Sequence, residues 1–166
     1  MSKRATSDEL IQVVVETPRG SRNKYKYDPE LSAFGLASTL PAGSSFPYDF
    51  GFVPGTQAAD GDPIDVLLLM DAAAFTGCRV QARLIGVIEA EQVEDGKRIR
   101  NDRLLAVADK AKDYAHLRKA ADLNGNLLRE IEHFFLSYNE MRGREFKLLG
   151  VHGPRRALQL LKKAKR

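Results

Sequence analysis

The stretch 60-DGDPIDVLLLM-70 constrains this chain more than any other. Gly61 and Pro63 interrupt regular structure, so residues 60–65 read as a turn or irregular segment. The aliphatic run at 66–70 follows at once and has the length of a buried strand. Asp60, Asp62 and Asp65 therefore gather at the mouth of a strand. Crowded carboxylates repel one another, and a hard cation relieves that repulsion while taking their oxygens as ligands. An Asp-rich turn is also an ordinary solvated loop, and the spacing alone leaves both readings open.

A chain of 166 residues has room for a substantial core, and all of 1–166 reads as one domain. No apolar run approaches the roughly 18–20 residues of a membrane span. The start, MSKRATSDELIQ, lacks the apolar stretch of a secretory signal, and residues 1–10 read as a frayed end. Cys78 is the single cysteine, which excludes an internal disulfide and fits a reducing cytoplasm. A cytoplasmic protein is the expectation.

The net charge of +4 is a property of one end. Residues 155-RRALQLLKKAKR-166 hold six basic side chains and no acidic one, and the remainder carries −2. Such an end can attract nucleic acid electrostatically, or it can be a helix packed on its own domain. The aromatics Tyr25, Phe46, Tyr48, Phe50 and Phe52 could stack bases, but the acidic cluster beside them repels a nucleic-acid backbone.

Residues 11–18, IQVVVETP, read as a strand ending near Glu16. Period two puts Lys24 and Lys26 on one face of a following strand and Tyr25 and Tyr27 on the other. Residues 30–40 read as a further hairpin or irregular pair. The segment 41–63 is dense in Gly, Pro and aromatics and reads as a long irregular connection into the aspartates. Strands are expected at 66–70, 79–91 and 103–109, with a hairpin turn at Glu94-Asp95-Gly96. A short helix is expected at 114–121. Leu127, Leu128, Ile131, Phe134, Phe135 and Tyr138 recur at helical spacing behind an Asn124 or Asn126 cap. A last strand at 145–149 and a helix opened by Pro154 complete an α+β pattern with a small barrel or curled antiparallel sheet.

Carboxylates near lysines, as at Glu16, Lys24 and Lys26, make either a structural ion pair or a site for condensed phosphate. In the second case cations cancel phosphate charge from one side and lysines from the other. Other chemistries find no support. GxGxxG, Walker A and GxSxG are absent, and His116, His133 and His152 have no zinc spacing.

The segments VVVETPRGSRNKYKYD (13–28), LPAGSSFPYDFGFVPGT (40–56), ADGDPIDVLLLM (59–70), FTGCRVQARLIGVIE (75–89), RLLAVAD (103–109) and LREIEHFFLSYNEMRGREFK (128–147) resemble the family I soluble inorganic pyrophosphatases. The resemblance implies a five-stranded OB-like barrel with flanking C-terminal helices and an active site at its mouth. It implies Mg²⁺, with Mn²⁺ as a substitute, and assembly as a homo-oligomer, a hexamer in bacterial members. It implies hydrolysis of pyrophosphate to two phosphates by in-line attack of a metal-bound hydroxide. Asp65 then matches an aspartate bridging two metals, Asp60 a metal ligand, and Asp62 the residue that deprotonates the nucleophilic water. Glu16 matches a carboxylate at the metal edge, Lys24 a phosphate-holding lysine, and Tyr138 a phosphate-contacting tyrosine.

The chain also departs from that pattern. Lys26 stands where the family has a carboxylate, and is read here as a further substrate contact. Ser38 replaces an arginine, and Phe46 and Phe50 replace tyrosines. Arg103 takes a lysine's place. Asn101 falls where a metal-binding aspartate is usual, with Asp102 one residue away as the replacement ligand. A second such aspartate falls near Glu91 or Gln92, with Glu94 and Asp95 nearby. Asn139 replaces a lysine. A lost phosphate contact costs about 1.5–3 kcal/mol. The alternatives are therefore a hydrolase of another phosphoanhydride, such as a nucleotide or polyphosphate, or a weakly active homologue that binds phosphate or nucleic acid.

Overall fold

The computed structural model describes residues 9–166. The frayed segment expected at 1–10 lies outside the described residues apart from its last two, and Leu10 already opens a strand. The elements in order are β1 (Leu10–Thr17), β2 (Asn23–Asp28), β3 (Ala33–Thr39), β4 (Asp49–Phe52), β5 (Asp65–Leu69), β6 (Arg79–Glu94), β7 (Lys97–Arg100) and β8 (Arg103–Ala108). A single 3₁₀ turn at Ala120–Asp122, α1 (Gly125–Met141), β9 (Glu145–His152) and α2 (Pro154–Ala164) follow.

The five-stranded OB-like barrel is corrected. The main sheet has seven strands, in the order β1-β4-β5-β8-β6-β7, with β9 also on β6. It is mixed, because β5 and β8 run parallel while the other pairs are antiparallel. Strands β2 and β3 form a separate two-stranded sheet. The physical reason lies in β6. Its 16 residues are long enough to serve several neighbours. Residues 79–83 of β6 pair with β1, 82–88 with β8, 87–93 with β9 and 91–94 with β7. The α+β class and the two C-terminal helices are as expected.

β4 falls inside the stretch read as irregular, where Pro47 and Gly51 mask its alternation. Gly51 is required there. A Cβ on it would lie 2.3 Å from the Val14 carbonyl oxygen, so only glycine lets β4 approach β1 this closely. The short helix expected at 114–121 does not form either. Leu117, Ala120 and Leu123 are buried three residues apart, a spacing that suits the tighter 3₁₀ turn. The turn at 94–96 is a tight hairpin, with Asp95 at φ 50° and Gly96 at φ 75°, as a two-residue turn between twisted strands demands.

Both faces of β5 and β8 are buried. Val66, Leu68, Leu104 and Ala106 join a core that includes Val13, Val15, Ala157 and Leu161, and so takes in α2. Leu67, Leu69, Leu105 and Val107 join a second core with Ile131 and Phe135 of α1. Alternation along the strands sets this division, since neighbouring side chains point to opposite faces. Asp65 and Arg103, the first residues of β5 and β8, share the parity of the second core.

Candidate active site

The site is built where β5 and β8 begin. Parallel pairing makes Asp65 and Arg103 Cα partners. Arg103 is 5% exposed. Its guanidinium lies 4.0 Å from the centroid of the Phe135 ring and 5.7 Å from that of Phe146. It donates to the Asn101 carbonyl oxygen at 2.9 Å. Two aromatic rings and a carbonyl hold a buried cation in one orientation, and a planar guanidinium suits that stacking better than an ammonium. Burial pulls its pKa down, and Asp65, Tyr138, Asp60 and Asp102 oppose that pull.

Asp65 is pushed up to about 6. Desolvation is the main cause, Asp60 and Glu16 add repulsion, and Arg103 and Lys24 work against it. Asp60 and Glu16 are also raised, again chiefly by desolvation and further by Asp62. The four carboxylates at 16, 60, 62 and 65 therefore share one electrostatic neighbourhood. The 60–65 loop is shaped by its own bonds. The Asp60 carboxylate accepts from the Asp62 N–H at 3.0 Å, and the Ala58 N–H donates to the Asp62 carbonyl at 2.7 Å.

The β2–β3 hairpin brings the lysines. Thr17 ties β1 to β2, its hydroxyl accepting from the Tyr25 N–H at 3.0 Å, and the Glu16 carboxylate accepts from the Tyr27 N–H at 2.8 Å. Lys26 Nζ lies 3.0 Å from Asp62 Oδ2, with the two side chains 50% and 51% exposed. This pair raises the Lys26 pKa, helped by Glu16 and Asp60. Lys24 Nζ lies 5.3 Å from the centroid of the Tyr138 ring. Burial pushes the Tyr138 phenol up, but Lys24 and Arg142 beside it win and hold it below the ordinary value. Helical spacing stacks Tyr138 on Phe134, with centroids 5.9 Å apart.

Of the residues singled out in the sequence, Glu16, Asp60, Asp62, Asp65, Lys24, Lys26, Arg103 and Tyr138 come together. Asp102 lies near enough to act on the charge of Arg103, but its carboxylate is engaged by other partners. Its carboxylate takes two hydrogen bonds from Arg100 Nη2, at 2.9 and 3.1 Å, and one from the Ala90 N–H at 3.2 Å. Asn139 is fully buried and donates to the Phe135 carbonyl at 2.8 Å within its own helix. Phe46 and Phe50 meet edge-on at 4.9 Å and support Phe134, so they floor the site.

Sequence reasoning missed Arg100 and Glu89. The buried Glu89 carboxylate accepts from Arg100 at 2.7 Å and from Arg156 at 2.8 Å, and His152 Nε2 lies 3.1 Å away. The alternation of β7 held the signal, since Arg100 shares parity with Asp102. The partners Glu89 and Arg156 lie too far along the chain for spacing to reveal them.

The donor chemistry fits a hard divalent cation, with all-oxygen ligands whose mutual repulsion such an ion would relieve. Among the described residues, no three His, Cys, Asp or Glu side chains are drawn together in positions that would already hold a metal ion.

The comparisons agree with one another. The family model for inorganic pyrophosphatase matches residues 13–166. The chain is 39% identical over 141 residues to the inorganic pyrophosphatase of Synechocystis, covering 85% of this chain and 81% of that protein. It is 32% identical over 160 residues to that of Methanosarcina acetivorans, covering 96% and 93%. The crystal structure of the Thermus thermophilus inorganic pyrophosphatase superposes with a TM-score of 0.87 at 32% identity, covering 97% of this chain and 91% of that one. The Helicobacter pylori enzyme superposes with a TM-score of 0.85 at 32% identity, covering 95% and 92%. With family model, sequence relatives and solved structures in accord over nearly its whole length, this chain belongs to the family I inorganic pyrophosphatases.

Proposed function

We propose that this protein hydrolyses inorganic pyrophosphate to two phosphates with Mg²⁺, for which Mn²⁺ can substitute. Its family membership supports the reading, and the observation that carries it is the crowding of Glu16, Asp60, Asp62 and Asp65 beside Lys24 and Arg103. Asp60, Asp65, Asp62 and Glu16 are the residues that would hold the cations. When bound, divalent cations supply charge neutralisation for the diphosphate and a lower pKa for the attacking water.

The chain's own residues do the rest. Lys24, Arg103 and Tyr138 bind phosphate oxygens. Arg103 does so as a pre-oriented, poorly hydrated cation, which strengthens its attraction to an anion. Asp62 accepts the proton of the attacking water, and Lys26, 3.0 Å from that carboxylate, is a further substrate contact. Asp102 is a weaker candidate for a ligand role than the other four, because Arg100 and a backbone N–H already occupy its oxygens.

We propose that one domain carries this activity and assembles into a homo-oligomer, a hexamer, in the cytoplasm. Among the described residues, no helix is long and apolar enough to cross a membrane. The deciding assay is phosphate release from pyrophosphate with and without Mg²⁺, run beside triphosphate and nucleotides. A pyrophosphate rate no better than the others would assign the site to a different phosphoanhydride. Light scattering behind size exclusion decides the assembly.

A further inference from the structure

We infer that the C-terminal residues Ala164, Lys165 and Arg166 are positioning residues for the aspartate loop, acting through their backbone. The inference rests on the reading of Asp60 and Asp62 as cation ligands.

The geometry is a chain of short links. The Gln57 N–H donates to the Ala164 carbonyl at 2.8 Å, and the Arg166 N–H donates to the Gly55 carbonyl at 3.0 Å. Between them Thr56 and Lys165 form an antiparallel β-bridge. Residues 164–166 are thus laid along residues 55–57 through one bridge pair and its two hydrogen bonds. From there the links run into the aspartates. The Thr56 hydroxyl, on a residue 7% exposed, donates to the Val53 carbonyl at 2.6 Å and accepts from the Ile64 N–H at 3.0 Å. Gln57 Nε2 donates to the Gly61 carbonyl at 3.0 Å. The Ala58 N–H donates to the Asp62 carbonyl, and the Gly61 N–H to that of Ala58. Gly55 and Gln57 are therefore bonded to residues 164–166, Gln57 and Ala58 to the loop of Asp60 and Asp62, and Gln57 alone of these joins the two directly.

The anchor itself is fixed. Ala157 and Leu161 of α2 are buried in the core shared with β5 and β8. At the other end of the helix Arg156 donates to the buried Glu89 carboxylate. A short helix pinned in its middle and at its start presents its last turn at a set position. The aspartates need that support. Pro63 and Gly61 give their loop no ladder of its own, and the four carboxylates repel one another. A loop loaded with like charge swings outward unless something holds its base, and the bridge to residues 164–166 does so. Because the contacts are backbone to backbone, the basic side chains of Lys165 and Arg166 are not what matters.

The test compares four full-length-based proteins with the wild type: a deletion of 164–166, the double variant Lys165→Ala with Arg166→Ala, and Thr56→Val beside Thr56→Ser. Three quantities are read, namely hydrogen exchange of peptides covering 55–62, Mg²⁺ binding by calorimetry without substrate, and kcat and KM separately. In the deletion we expect faster exchange at 55–62 with β5 and β8 still protected, and Mg²⁺ binding at least about tenfold weaker. Thr56→Val shares the binding defect and Thr56→Ser restores it. The double alanine variant behaves as wild type, since its backbone is intact.

Unchanged exchange and unchanged Mg²⁺ affinity in the deletion would overturn the inference. So would a double alanine variant as impaired as the deletion, which would place the effect in side-chain charge. Failure of the wild type to bind Mg²⁺ strikes instead at the proposed function, and the exchange measurement then judges the C-terminal contact by itself.

Discussion

Asp65 and Arg103 are Cα partners at the first residues of adjacent parallel strands, and each is the other's largest electrostatic support against burial. The pair is unbalanced. Arg103 is held by Phe135 and the Asn101 carbonyl, whereas Asp65 also faces Asp60 and Glu16 and is pushed up to about 6.

Asp65→Asn separates stability from activity. The folded pKa lies above the unfolded value, so in the metal-free protein the ionised group costs stability as pH rises from about 4 to about 6, and the cost is full above that. Asp65→Asn should therefore raise the metal-free stability at pH 7–8 by roughly 2–3 kcal/mol, with no gain below about pH 4. The same variant should lose at least about 100-fold in pyrophosphate hydrolysis with Mg²⁺. Thermal melts across pH, with a chelator present, check the first part. A melting temperature lowered at pH 8 would contradict it.

Arg103→Lys keeps the charge and loses the planar stacking on Phe135. We expect kcat/KM to fall about tenfold, near 1.4 kcal/mol, with Phe135→Leu giving a smaller loss in the same direction. Steady-state kinetics on the two variants settle it. Equal activity in Arg103→Lys and wild type would show that charge alone suffices at this position.

Lys26 competes with cations for Asp62, and both side chains are half exposed, so the competition is mild. Lys26→Ala should tighten Mg²⁺ binding about two- to fivefold, the range of an exposed ion pair, while KM for pyrophosphate rises. Calorimetric titration with Mg²⁺ alone reads the first effect. Weaker Mg²⁺ binding in Lys26→Ala would mean that the lysine helps to shape the site.

Glu89 joins β6 to Arg100 of β7, to Arg156 of α2 and to His152 of β9. Glu89→Gln should cost about 2 kcal/mol, below the usual range for a broken buried pair because Arg100 and Arg156 are partly exposed and can rehydrate. Its pKa is lowered from 4.5, chiefly by the Arg156 hydrogen bond. The carboxylate's contribution is thus full above about pH 4.5 and is lost as pH falls through the lower folded value. The melting difference between wild type and Glu89→Gln should close as pH falls through that lower folded value, and a difference that persists in acid would assign it to packing.

The amino-acid order alone determined the parts of this protein that depend on local chemistry. The β-rich stretch 11–18, the aliphatic run 66–70, the Asp95-Gly96 turn, an asparagine cap at 124 or 126 and Pro154 at the start of α2 are short-range effects, and each element lies where they point. The spacing of Asp60, Asp62 and Asp65 before a strand placed the carboxylates together for the same reason. Only tertiary structure decided what long-range pairing controls. The reach of β6 across β1, β7, β8 and β9 set a seven-stranded mixed sheet. The close approach that requires Gly51 turned an apparently irregular stretch into β4. Asp102 was claimed by Arg100, and the chain's last residues were laid beside residues 55–57. Spacing in a sequence carries the geometry of one helix or strand, and it holds no record of which distant segment that element will meet.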